Sequence, residues 1–111
     1  MNATSEPVKG EPFNLPDNVS YAIGAVVSKT LLKKATGTVT LFSFDAGQGL
    51  SEHMAPFDAM VYVLDGKAVI TIGGKPHDVS TGEMIIMPAN ISHALHAEER
   101  FKMLLVMIRS D

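Results

Sequence analysis

Apolar residues in this chain recur in short runs rather than at helical spacing. From Gly24 onward, stretches rich in Val, Ile, Thr and Phe are punctuated by Gly, Pro and Asp, the pattern of short strands joined by turns. The runs predict nine strands, at 25–33, 38–44, 50–55, 60–64, 67–72, 77–79, 84–87, 92–97 and 101–109. Little room is left for helix. Asp65-Gly66 lies between two β-rich runs, Met60 to Leu64 and Lys67 to Ile72. It predicts a type I′ hairpin, because glycine accepts the positive φ that matches strand twist. Gly73-Gly74 turns the chain again, and Pro76, which has no N–H for a ladder, puts the following strand near a sheet edge. Gly82 opens a further turn, and Pro88 stops the run that ends at Met87. Strands this short and this evenly spaced imply an all-β, antiparallel sandwich or barrel closed to hide its edges.

The first twenty residues read differently. Pro7, Pro12 and Pro16 stand among polar residues, so residues 1–20 are expected to form an extended arm whose start frays, or which lies across another surface with Phe13 and Leu15 as anchors. Residues 21–111 are expected to form the single barrel domain that a chain of 111 residues with 46% hydrophobic content supports. No apolar run near the N-terminus resembles a signal-peptide core. The apolar stretch from Met103 to Ile108 is six residues, against roughly 20 for a membrane span. A cytoplasmic location without membrane contact is the expectation.

Composition narrows the chemistry. With no cysteine, thiolate nucleophiles, disulfides and sulfur-ligated metal sites are excluded, leaving His, Asp and Glu as metal ligands. A net charge of −3 argues against nucleic acid as a partner. The sequence shows no Ser/His/Asp ordering, no phosphate-cradling glycine loop and no paired inward carboxylates, which sets aside hydrolase, nucleotide and glycosidase chemistry.

Two segments carry a recognisable spacing. Gly47 is followed by His53, Ala55, Ala59 and Gly66, and Gly82 by Pro88, Asn90, His93 and Ala97. Their spacing resembles the two motifs of the cupin superfamily, which read Gly, His, His, Glu, Gly and Gly, Pro, Gly, His, Asn. The resemblance, covering about residues 37–109, implies a small jelly-roll barrel, the double-stranded β-helix. Of the family's metal ligands only His53 and His93 are matched, while alanine stands at 55, 59 and 97. Asn90 replaces a glycine at a turn expected to need positive φ, a conformation that Asn tolerates well.

In a barrel of this kind, strand alternation would turn His53 with Ala55, Ala59 with Val61, and His93 with Leu95 and Ala97 into the interior. Together with Met87 these residues form the candidate ligand pocket. His53 and His93, as neutral imidazoles, are the candidate ligands for a divalent cation such as zinc, iron, manganese, nickel or copper. The alternative is that both histidines serve as hydrogen-bonding pocket residues without metal. His96 falls on the opposite strand face, His77 beside a turn, and Glu52 and Asp58 point away from the pocket. Met54, Met60, Met84, Met87, Met103 and Met107 are read first as core filling and second as the lining of an apolar pocket.

Three functions compete on this reading. One is a protein that binds a small molecule around His53 and His93, with a weakly held metal. Another is a metal-dependent cupin enzyme, dioxygenase- or isomerase-like, acting on a small organic substrate. The third is an interaction module whose pocket is vestigial. A homodimer is expected, because Phe13, Leu15, Val26, Val27, Leu31 and Leu32 offer more apolar surface than one small barrel's edge can cover.

Overall fold

The computed structural model describes residues 7–109. Nine strands follow one another in order: β1 Val26–Lys34, β2 Gly37–Phe44, β3 Gly49–His53, β4 Ala59–Asp65, β5 Lys67–Ile72, β6 Lys75–Ser80, β7 Met84–Met87, β8 His93–His96 and β9 Phe101–Ile108. A single 3-10 turn, Pro16–Asn18, is the one helical element among the described residues. The strands form two antiparallel sheets, one of five in the order β1-β2-β9-β4-β7 and one of four in the order β3-β8-β5-β6. This is the all-β jelly-roll barrel expected from the strand pattern. No described helix is long and apolar enough to cross a membrane.

Antiparallel partners share a face, so the register shows what faces inward. Phe44 pairs with Phe101, Val61 with Leu105, and Ala59 with both Met87 and Met107. Their side chains meet Ala68, Ile70, Val79, Leu95 and Ala97 from the opposite sheet in one buried cluster. The rings of Phe44 and Phe101 stack at 4.5 Å between centroids within that cluster. Burying side chains of this size contributes about 1.5–3 kcal/mol each.

The turns correct one expectation from the sequence. β4 and β5 do not pair: β4 lies between β9 and β7, and β5 between β8 and β6. Asp65-Gly66 is therefore a corner where the chain crosses from one sheet to the other, and only Gly66 has positive φ, at 82°. A Cβ on Gly66 would collide with the backbone carbonyl of Arg100, so the residue is required by the close approach of β9 as well as by its dihedral. The two-residue hairpin with both central φ angles positive is instead at Gly73-Gly74, 57° and 81°, where Ile72 faces Lys75. Pro76 does lie on an edge strand, β6.

The arm expected over 1–20 begins outside the described residues, which leave out 1–6. From Pro7 onward it lies across the outer face of the five-stranded sheet. Lys102 Nζ donates to the carbonyl of Pro16 at 2.6 Å, and Ser43 Oγ to that of Ser20 at 2.8 Å. Leu41 and Ser43 point outward yet are fully buried. Phe13 and Leu15 border a groove completed by Leu31, Leu32, Val39 and Leu104. Tyr21 closes the arm: its hydroxyl donates to Asp65 and its ring lies under the Arg100 guanidinium. Burial, then the bond to Asp65, pushes the Tyr21 hydroxyl well above the usual tyrosine range.

Candidate functional site

β8 is flanked by β3 and β5, so His93 sits in the middle of the smaller sheet, directly across from His53 at the end of β3. The register slips between Leu50 and His53, a bulge that re-aims a side chain. Nε2 of His53 and Nε2 of His93 come within 3.0 Å, with the rings edge to face at 74°. His53 is exposed, whereas His93 is only 5% exposed.

Before β8 the chain turns at Asn90, whose φ is 63°. Its amide donates to the carbonyl of Ala55 at 2.7 Å, linking the loops that follow β3 and precede β8. Asp58 also holds this corner, its carboxylate accepting the Ala89 N–H at 2.8 Å. Asp58 is thereby a structural residue rather than a pocket group.

The imidazoles stand beside a cavity of about 220 Å³. Leu50, His53, Ala55, Phe57, Ala59 and Met87 line one part of it, and His93, Leu95, Met103, Leu105 and Met107 the rest. Of the residues picked from sequence, His53, Ala55, Ala59, Met87, His93 and Leu95 thus border one space. Val61 and Ala97 do not: both are fully buried in the core cluster and neither lines the cavity. Ala55 reaches the cavity from the loop after β3, which ends at His53, not from the strand. Phe57, Leu50 and Leu105 were missed, while Met103 and Met107, read from the sequence first as core and second as pocket lining, do border the cavity. The inward alternation of Met103, Leu105 and Met107 was the signal available for β9, but composition alone gave no reason to place that strand beside the histidines.

His93 carries the electrostatics. Burial holds its imidazole below the ordinary value of 6.5, the neighbouring His53 ring adds to this, and the Ile91 backbone pulls weakly the other way. Ile91 does not reach hydrogen-bond geometry, and His93 Nδ1 is buried without a partner. Nδ1 of His53 lies 2.8 Å from the carbonyl of Ser51. Since a carbonyl only accepts, that nitrogen carries the ring proton, which leaves Nε2 of His53 as a lone pair.

A resident metal does not fit this donor set well. Among the described residues no three His, Asp or Glu side chains gather at one point, while protein metal sites ordinarily supply three or four ligands. Around the two imidazoles the lining is methyl, thioether and phenyl. His96 and Glu52 are exposed and His77 is half-buried on β6, and none of them lines the cavity.

Comparison with known proteins agrees with this architecture. A conserved protein of unknown function from Streptococcus pyogenes superposes with a TM-score of 0.91 at 37% identity, over 100% of this chain and 97% of that one. A Cupin 2 conserved barrel domain protein from Leptotrichia buccalis is 47% identical with a TM-score of 0.85, over 87% of this chain but 47% of that chain. A relative from Streptomyces coelicolor, itself uncharacterised, is 31% identical over 65 residues, 59% of this chain and 62% of that protein. The chain thus spans under two-thirds of the Streptomyces relative and about half of the Leptotrichia chain. Residues 40–108 match the model of the Cupin domain family, and with its two antiparallel sheets and paired motifs the chain belongs to that family.

Proposed function

We propose that this barrel binds a small, largely apolar molecule in the cavity beside His53 and His93, the two imidazoles making its polar contacts. One observation carries the reading: two convergent ring nitrogens sit at the rim of a cavity otherwise lined by apolar side chains. Ligand sites of this type combine an apolar wall with a few directed polar groups. The test is thermal shift of the purified chain with a panel of small aromatic and alicyclic compounds, alongside Ala59→Leu, which fills the cavity. Stabilisation of the parent and not of the variant supports the reading. Equal response, or none across the panel, overturns it.

A second reading, a metal-dependent enzyme of dioxygenase or isomerase type, has one observation in its favour. The 3.0 Å between the two Nε2 atoms matches the span of two neighbouring ligands at about 2.1 Å from one metal with an angle of roughly 90°. Elemental analysis of protein purified without an affinity tag or chelator separates the readings. Stoichiometric zinc, iron, manganese, nickel or copper selects the enzyme, and its absence the metal-free pocket. A cytoplasmic location is proposed with either, from the cysteine-free sequence.

A further inference from the structure

Resting on the reading of this cavity as a ligand site, we propose that Phe57 sets the size of its occupant. The Phe57 ring is the partition between the inner cavity and the groove on the outer face of the five-stranded sheet, and it ends the space open to a ligand.

Two spaces meet at this residue. The cavity of about 220 Å³ lies inside the barrel, and a groove of about 530 Å³ lies outside it. Along most of their common wall the divider is sheet. Met60, Ile86 and Val106 are paired across β4, β7 and β9 and line the groove, whereas their chain neighbours Ala59, Met87 and Leu105 line the cavity. Successive strand residues point to opposite faces, so laddered backbone stands between the two spaces, and no side-chain change there joins them. Phe57 alone borders both. It belongs to the segment between β3 and β4, and every other residue around the cavity lies on a strand except Ala55, whose side chain is one methyl group.

The ring itself faces the groove. Arg109 borders the groove and not the cavity, and its guanidinium lies over the half-buried Phe57 ring, 5.4 Å from the centroid. Both flanks of Phe57 are pinned, by the Asn90 N–H to the Ala55 carbonyl and by the Ala89 N–H to the Asp58 carboxylate. The partition is therefore held in place by its own segment. Size follows from the cavity: an apolar void of about 150 Å³ takes benzene, so about 220 Å³ suits a single ring with a short alkyl chain. A longer chain is stopped by the Phe57 ring. With that ring cut back to a methyl group, it reaches a groove lined by Met60, Ile86, Val106 and Ile108.

The experiment is calorimetric titration of the full chain with benzene, ethylbenzene, n-butylbenzene and n-hexylbenzene. In the parent, affinity should rise as far as ethylbenzene and then fall at least tenfold by n-hexylbenzene. In Phe57→Ala it should keep rising to n-hexylbenzene, about fourfold per methylene, the equivalent of about 0.8 kcal/mol for each buried CH₂. Leu50→Ala enlarges the cavity at a residue that does not border the groove, and should keep the fall while moving it by roughly one or two carbons. Phe57→Leu retains more packing in the segment and serves if the alanine variant does not fold; the fall should be shallower than in the parent. A fall that persists unchanged in the Phe57 variants, one that Leu50→Ala removes equally, or no fall in the parent overturns the role of Phe57 and leaves the ligand site standing. Binding of none of the four compounds by any of these chains overturns both.

Discussion

Asn90 donates its backbone N–H to the carbonyl of Ala55 at 2.7 Å while holding a φ of 63°. That bond ties the segment leaving His53 to the segment entering His93, so a left-handed residue three positions before His93 supports the corner beside the β3–β8 pairing that sets the two imidazoles opposite each other. Asn90→Gly should keep both the turn and the stability of the parent. Asn90→Val, whose branched side chain resists positive φ, should cost about 1–3 kcal/mol and lower the melting temperature by several degrees. Equal melting of the two variants would show that the turn does not need its dihedral.

Two glycines with similar dihedrals should behave differently. At Gly74 an added Cβ meets nothing within 4 Å, whereas at Gly66 it meets the Arg100 carbonyl and Phe101. Gly74→Ala carries only the left-handed penalty, about 1–2 kcal/mol. Gly66→Ala adds a backbone clash at the corner between the sheets and should cost about 3 kcal/mol or more. Denaturant unfolding of both variants, compared at constant slope, checks the order.

The neutral state of His93 makes stability fall on acidification. Its folded value is lowered from 6.5 by burial and by His53, so below 6.5 the unfolded chain takes up a proton that the folded chain resists. Stability is full above about pH 6.5, declines as pH falls toward the folded value, and levels off beneath it. His93→Leu should flatten that decline. Urea midpoints measured from pH 8 to pH 5 test it, and an unchanged slope in the variant would assign the decline to other groups.

Restoring the missing donors should create affinity for metal. Ala55 and Ala59 border the same cavity as the two histidines, so Ala55→His with Ala59→Glu would assemble three nitrogens and a carboxylate, a common shell for first-row metals. Mn²⁺ or Ni²⁺ should bind at least tenfold tighter than to the parent by calorimetry, and raise the melting temperature of the double variant through linkage. A folded double variant with parental affinity would mean that these two positions do not converge with the histidines.

Self-association is expected on the outer face of the five-stranded sheet, away from the arm. At the arm Leu41 is fully buried, while Phe13 and Leu32 stay 45% and 42% exposed around a groove shared with Leu31 and Val39, less exposed than the pair of isoleucines on β7 and β9. Ile86 and Ile108 are instead 57% and 61% exposed. They line a groove with Met60 and Val106 that also holds Asp58 and Arg109. A second copy related by a two-fold axis would cover the apolar centre and set each Arg109 against an Asp58. Light scattering should give a dimer at micromolar concentration and a monomer for Ile86→Lys. A monomeric parent would refute the assignment.

What the sequence determined by itself was local. Alternation and punctuation marked nine strands close to where they lie, and Pro76 put β6 on an edge, both from sterics within a few residues. The left-handed turn at Asn90 was implied by the family resemblance, in which a glycine holds that position, and Asn is able to take it. Pairing is not local, and there the tertiary structure decided. Asp65-Gly66 has the composition of a hairpin turn, yet β4 pairs with β9 and β7 and β5 with β8 and β6, so the two strands separate into two sheets. The candidate site divides along the same line. His53 and His93 were legible through their spacing, but which neighbours border the cavity, Ala59 among them, and which join the core cluster, as Val61 and Ala97 do with Phe44 and Phe101, is set by packing of both sheets. Phe44 and Phe101 meet across 57 residues of chain, a consequence of packing that no short stretch of sequence encodes.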